Sequence, residues 1–204
     1  MLSTGNIRGR FSKNLRRVRH LLDVFVALHP GTGRPSELHT DIVRAAVVFL
    51  HASLEDLLRS SEELRLDKAP DSAFKRLRWV PATGDNEGKD RVTLDELAQY
   101  RGHTVEEVLR RAFERHHERS NYNNEKDVAA ALARMSLPGE PFRTHLSDLQ
   151  LLMARRHLIA HRADANLKFP NLTNPIGVRL AERWLKTTES FGEQLLSSLE
   201  RNPS

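Results

Sequence analysis

The stretch "IVRAAVVFLHASLEDLLRSSEEL", residues 42–64, decides the fold. Between Ile42 and Leu50 it is apolar on nearly every side, and it contains neither proline nor glycine, so it predicts a long helix. Ser36 follows a loop rich in proline and glycine and is the expected N-cap of this helix, which we place over 38–66. A helix that is apolar all round is expected at the centre of the protein.

The rest of the chain supplies further helical signals and no convincing strand. The sequence therefore predicts an all-α fold in a single domain, 1–204, whose core is an antiparallel bundle of the first, second, motif-bearing and last helices. A helical and loop insertion is expected around 67–122. The other expected helices are 10–28; two that start with the capping boxes Thr93/Glu96 and Thr104/Glu107; about 125–136; one capped by Thr144 or Ser147; and one from Pro175 to about Leu199.

Composition excludes several classes of protein. The 204 residues include no cysteine, which rules out disulfides, thiolate zinc sites and cysteine nucleophiles. No apolar run is long enough to cross a bilayer, and the N-terminus lacks the pattern of a secretory signal, so we expect a cytoplasmic protein without membrane association. The net charge of +5 is compatible with a nucleic-acid partner, RNA or DNA.

A second stretch, "QLLMARRHLIAHRAD" at 150–164, places basic residues in an otherwise apolar helix. At about 100° per residue, Arg156 falls inside the apolar stripe of this helix, whereas Arg155 and Arg162 fall outside it and are expected to be solvated or to face RNA. His157 and His161 are expected to stack at the edge of the stripe. The stripe itself consists of Leu146, Leu149, Leu152, Met153, Ile159 and Ala160.

An arginine in an apolar stripe is costly unless its guanidinium has a partner, and three explanations are open. Arg156 could extend to solvent, or it could pair with Glu55 or Asp56 in a purely structural role. Alternatively, a guanidinium beside an imidazole one turn away combines bidentate phosphate recognition with proton transfer near neutral pH. Those two groups are what metal-free cleavage of an RNA strand requires.

"RHLIAHR", 156–162, resembles the Arg-x4-6-His signature of the HEPN superfamily, with Arg156, His157 as the polar residue, and His161. "RAAVVFLHASLEDLLR" (44–59) and "SNYNNEKDVAAALARM" (120–135) are similar to the HEPN branch associated with RiboL-PSP-type and related prokaryotic defence genes. The resemblance implies a metal-independent, homodimeric endoribonuclease of a toxin or antiviral system. It implies catalytic Arg156 and His161, an assisting His157, and RNA contacts from Arg155 and Arg162. The alternative is a non-catalytic RNA-binding or regulatory module.

The resemblance also implies a partner such as an antitoxin or another defence component. Members controlled by a nucleotidyltransferase antitoxin often carry a tyrosine two residues after the motif histidine, where this chain has Ala163. No cofactor or metal is expected. His157 and His161 have the spacing of a helical metal site, but Leu158 stands where a catalytic glutamate would follow, and a third ligand from His116, His117 or His145 would need an unknown tertiary contact.

Overall fold

The structure, a computed structural model, describes residues 2–31, 33–66, 69–74, 91–119, 121–169 and 171–201. The fold is all-α, as predicted, and within these ranges the β-type pairing is a single isolated bridge between Ala165 and Thr173. A 3-10 turn covers Glu140–Phe142. The α-helices are α1 (Thr4–Leu28), α2 (Glu37–Leu64), α3 (Asp71–Phe74), α4 (Leu94–Ala98), α5 (Val105–Arg119), α6 (Glu125–Arg134), α7 (Arg143–Arg162) and α8 (Val178–Arg201).

The core forms where α1, α2, α7 and α8 meet. Helices α2 and α8 pack against each other, and both contact α1 and α7, so the four helices expected to form the bundle do so. Each helix turns a stripe of apolar residues inward, which is how an amphipathic helix is stabilised in a bundle. The stripe of α1 consists of Ile7, Phe11, Leu15, Val18, Leu22 and Phe25, and the stripe of α8 includes Trp184, Phe191, Leu195 and Leu199.

Helices α1 and α8 approach closely at a glycine. The ring of Phe11 and the side chain of Leu57 lie against the backbone of Gly192, where an added Cβ would overlap the ring. Gly192 is buried in the middle of α8. Its lack of a side chain therefore makes room for the aromatic ring of α1.

Local capping accounts for the starts of several helices. The Ser36 hydroxyl accepts from the His39 amide (3.4 Å), as predicted for the start of α2. Thr104 and Glu107 form both bonds of a capping box, at 2.8 and 3.2 Å. At α4, the Thr93 amide donates to Glu96 (3.0 Å). The capping boxes read from the sequence are thus confirmed.

Other boundaries were predicted wrongly. Helix α1 begins at Thr4, earlier than expected, because Ser3 caps it through the Asn6 amide. Helix α7 begins at Arg143 as a continuation of the 3-10 turn, so neither Thr144 nor Ser147 is its cap. Helix α8 begins at Val178, and Pro175 lies in the preceding loop.

A buried polar cluster joins the insertion to the bundle. Glu62 of α2 accepts from Arg134 of α6 (2.5 and 3.0 Å) and from the Tyr122 hydroxyl (2.9 Å), and His117 of α5 lies 3.1 Å away. Burial alone would raise the pKa of Glu62, but the bonds from His117 and Arg134 and their charges outweigh it and hold that pKa at about 2. Glu62 is therefore ionised at neutral pH and anchors three segments.

None of the helices in the part of the chain that the structure describes is both long and apolar enough to span a membrane.

Candidate functional site

The apolar stripe of α7 is covered in its first half and open in its second. Leu149, Leu152 and Met153 are buried, as predicted. Two turns later Ile159 is half-buried and Ala160 is exposed, although both belong to the same stripe. Ala160 is exposed because the helices packed on α7 leave its last turns open.

Arg156 lies at the start of this open half and is itself half-buried. Among the described residues, no carboxylate lies within 4.0 Å of its guanidinium, and no group is hydrogen-bonded to it. Both carboxylates considered as partners are engaged elsewhere: Asp56 pairs with Arg10 (2.8 Å), and Glu55 lies between His51 and Arg59 at 3.8 and 3.9 Å. The structural ion pair expected as an alternative for Arg156 is therefore absent from the described part of the chain.

His51 of α2 is the buried group whose protonation Arg156 influences. Its Nε2 donates to the Tyr122 carbonyl (2.9 Å), and its Nδ1 has no hydrogen-bond partner among the described residues. Burial lowers the pKa of His51; Glu55 opposes this shift, and the charge of Arg156 adds to it. His51 is consequently neutral at physiological pH and adds no second positive charge near Arg156.

His157 and His161 lie side by side on the exposed surface of α7. Their ring centroids are 4.6 Å apart, with an angle of 46° between the planes. Arg162 is also exposed, and no acidic residue occurs between 149 and 162. Histidine and arginine in the last turn also offset the partial negative charge of a helix C-terminus, so these residues have a structural benefit as well.

Arg155 occupies a different environment from the other basic residues of the motif. Its side chain is only 15% exposed, and its guanidinium donates to Asp164 (2.8 Å) and to the carbonyls of Asn174 and Pro175 (3.0 Å each). The interpretation of Arg155 as a solvated charge is therefore wrong. This side chain ties α7 to the loop that follows it.

Asp164 is the centre of that connection. It is fully buried and accepts from Arg44 of α2 (2.8 Å) as well as from Arg155. The Asn174 side chain donates to the Asp164 carbonyl (3.0 Å), and the Arg44 guanidinium donates to the Asn174 carbonyl (3.0 Å). We call Arg44, Arg155, Asp164 and Asn174 the Asp164 clamp. It joins α2, the end of α7 and the loop 163–177.

The backbone at the clamp is unusual. Ala163 and Asp164 have φ values of 47° and 58°, the left-handed region that most residues avoid. The Asp164 amide donates to the Leu158 carbonyl (3.0 Å), which closes the helix. Two consecutive left-handed residues turn the chain sharply, so the loop folds back along the last turn of α7.

Sequence reasoning did not identify the clamp. One signal was present: Arg44 interrupts the apolar run of α2, and such a cation requires a buried partner. The partner lies 120 residues away, so no local pattern could identify it.

The other histidines considered as metal ligands have different partners. His117 lies beside Glu62, and His145 is bonded to Gln194 (3.0 Å). Over the described ranges, no three histidine, aspartate or glutamate side chains come together as a metal site. The side chain of His116 lies outside the described residues.

Comparison of the chain with protein-family models, with curated proteins and with solved structures finds no match.

Proposed function

We propose that the protein is a metal-independent endoribonuclease of HEPN type, in which Arg156 binds the scissile phosphate and His161 transfers the proton. The observation that carries this proposal is a half-buried guanidinium, with no hydrogen-bond or ion-pair partner among the described residues, next to two exposed imidazoles in contact on the same open helix end. A guanidinium held in a partly dry position interacts more strongly with a phosphate than one in bulk water does.

The reaction follows from these groups. The 2′-hydroxyl of the RNA attacks the adjacent phosphorus and loses its proton, while the bond to the 5′-oxygen breaks and that oxygen gains a proton. Arg156 stabilises the charge on the pentacoordinate phosphorus, and His161 exchanges the proton. His157, in contact with His161, orients its ring. The products carry a 2′,3′-cyclic phosphate and a 5′-hydroxyl.

A homodimer fits the arrangement of the two catalytic side chains. Arg156 and His161 are five residues apart and so point in directions about 140° different around α7. The open stripe beside Arg156, with half-buried Ile159 and exposed Ala160, offers an apolar surface for a second copy. In such a dimer, the arginine of one protomer and the histidine of the other act on the same phosphate.

Arg162 is exposed in the last turn and is assigned to RNA binding. Arg155 contributes indirectly, because its contacts with Asp164 hold the end of α7 in place.

Ala163 replaces the tyrosine that antitoxin nucleotidyltransferases modify in related systems, so an antitoxin or defence-system partner would control this protein by another route.

The experiment compares wild type with Arg156→Ala and His161→Ala on mixed RNA in excess EDTA. Both variants should lose cleavage, and wild type should retain it. Arg179→Ala and His20→Ala, which alter exposed residues of α8 and α1, serve as matched controls and should cut normally. Cleavage that stops in EDTA, or that survives in both motif variants, would overturn the proposal. RNA binding without cleavage by wild type would favour the non-catalytic module.

Mixing the two inactive variants tests the composite site. A heterodimer of Arg156→Ala and His161→Ala protomers contains one site with both wild-type residues, so the mixture should regain cleavage that neither protein has alone. Failure to regain cleavage in a mixture shown to form heterodimers would place both residues of each site in one protomer.

A further inference from the structure

Residues of the loop that follows α7 and of the last turns of α7 line an open cleft of about 290 Å³. This volume is near the lower end of the range for small-molecule sites, about 300 Å³. The cleft begins at Leu158, one turn of helix before the catalytic His161 of the proposed function. The other lining residues are Ala165, Asn166, Leu167, Lys168 and Asn174.

The cleft combines apolar side chains with polar groups that have no hydrogen-bond partner among the described residues. The Asn166 side-chain oxygen accepts from the amides of Lys168 (2.9 Å) and Phe169 (3.1 Å), which fixes its orientation. Its NH2 group has no partner among the described residues. Asn174 uses its NH2 group to bond the carbonyls of Asp164 and Ala165, and within the same described ranges its side-chain oxygen accepts nothing. A free donor and a free acceptor therefore lie in one cleft.

The charge around the cleft is positive. Lys168 is exposed and lines it, and His161 and Arg162 are exposed on the adjoining turn of α7. None of the six lining residues is acidic, and the nearby Asp164 is fully buried between two arginines. A cleft surrounded by basic residues and lined by no acidic ones attracts a phosphate-bearing ligand.

The loop also exposes an aromatic side chain. Leu167, directly before Lys168, is 75% exposed, and Phe169, directly after it, is 61% exposed. Bases of single-stranded RNA stack on exposed aromatic residues, while lysine contacts the backbone beside them. A protein-protein interface, by contrast, is depleted of lysine at its centre, which favours RNA as the occupant here.

We propose that this cleft is a nucleobase subsite, which takes one base of the RNA strand next to the phosphate on which His161 acts. The subsite rests on the proposed ribonuclease function and extends it to base recognition. Asn166 donates to the edge of the base and Asn174 accepts from it, Phe169 stacks on a base, and Lys168 contacts the backbone.

The test measures binding separately from cleavage. A short fluorescein-labelled oligonucleotide of mixed sequence with 2′-O-methyl groups cannot be cut, because its nucleophile is blocked, and fluorescence anisotropy gives its Kd. Asn166→Asp keeps the oxygen that bonds the two amides but replaces the free NH2 donor with a negatively charged oxygen. Phe169→Ala removes the stacking surface.

Both variants should bind the oligonucleotide roughly tenfold more weakly than wild type. Lys168→Ala removes the contact with the backbone and should also weaken binding. Asn171→Asp adds the same charge to the same loop, but Asn171 lines a neighbouring groove beside Arg34 and Arg44. Lys126→Ala removes an exposed lysine from α6, as the control for Lys168→Ala. These two controls should bind as wild type does. Oligonucleotides that differ in one base should also be ranked differently by Asn166→Asp.

Two results would overturn the subsite. The first is that Asn166→Asp, Phe169→Ala and Lys168→Ala all bind the oligonucleotide with wild-type affinity, while Arg156→Ala still abolishes cleavage. The proposed ribonuclease function would then hold, but the cleft would not be a base subsite. The second is a change from dimer to monomer in Phe169→Ala, measured by sedimentation, with oligonucleotide affinity unchanged, which would identify the loop as a protein contact. If wild type neither binds nor cuts RNA, the ribonuclease proposal fails as well.

Discussion

Arg44 of α2 and Asp164 at the end of α7 are separated by 120 residues and joined by a 2.8 Å hydrogen bond between Nε and Oδ2. Asp164 is fully buried, and Arg44 is only 6% exposed. A buried carboxylate shared by two arginines is far more costly to break than an exposed ion pair. The position of the motif helix therefore depends on a residue in the first quarter of the chain.

Removing the charge of Asp164 should destabilise the protein. Asp164→Asn keeps the shape and tolerates the left-handed backbone, but it removes the buried counter-charge of Arg155 and leaves Arg44 only the exposed carboxylate of Asp41. The free energy of unfolding should therefore fall by about 3 kcal/mol. Urea denaturation measures this. Asp148→Asn is the matched control, because Asp148 of α7 pairs with Arg183, whose side chain is 64% exposed, and about 1 kcal/mol or less is expected. Equal losses in the two variants would contradict the assignment.

Substitutions of the two flanking arginines of the motif, Arg155 and Arg162, should have different effects on stability and on RNA binding. Arg155→Ala removes donors to Asp164 and two carbonyls and should cost about 1–3 kcal/mol of unfolding free energy. Arg162→Ala should change the free energy of unfolding by about 0.5 kcal/mol or less.

Arg162→Ala should instead alter RNA binding. It should lower the slope of the logarithm of the binding constant against the logarithm of the salt concentration by about 0.7, as expected for one phosphate contact with a single strand. An unchanged slope would remove Arg162 from the RNA surface.

The buried polar cluster around Glu62 should make the free energy of unfolding depend on pH. The ordinary pKa of 4.5 falls to about 2 in the folded protein, so the unfolded state binds a proton first as the pH drops. The stabilisation is complete above about pH 4.5 and is lost as the pH falls towards 2, a total of roughly 3 kcal/mol. Urea denaturation at several pH values should show this loss in wild type. Glu62→Gln should be less stable at neutral pH and should lack this part of the acid dependence.

Gly192 should not tolerate a methyl group. Gly192→Ala places a Cβ against the ring of Phe11 at the contact of α1 with α8, and should cost about 1–3 kcal/mol through overpacking. Gly9→Ala is the matched control, because Gly9 lies in α1 with nothing within 4 Å of an added Cβ. There the better helix propensity of alanine should stabilise the protein by roughly 0.5–1 kcal/mol. Thermal unfolding that ranks the two variants in the opposite order would refute this account.

Local patterns were sufficient to predict the fold class and the core. The periodic apolar residues of α1, α2 and α8, and caps such as Ser36 and Thr104, act over a few residues and can be read directly. The stacking of His157 on His161 also follows from helical spacing.

Long-range partners could not be predicted in the same way. The direction of Arg155 around α7 suggested solvent, but the chain turns back at Ala163 and Asp164 and brings acceptors to it. Likewise, the stripe of α7 did not indicate where its covering helices stop, so the exposure of Ala160 could not be read from it. Both results share one cause: burial depends on elements far away in the sequence.

The clamp also sets an order of events during synthesis. Arg44 leaves the ribosome well before Asp164, and at about 5–20 residues per second the interval is roughly 6 s or longer. During that time α2 can form, but Arg44 has only the acceptors of its own helix, Thr40 and Asp41. Only when Asp164 and Asn174 have emerged can the end of α7 close against α2. A nascent chain therefore cannot assemble the motif helix in its final position before most of the protein has been made.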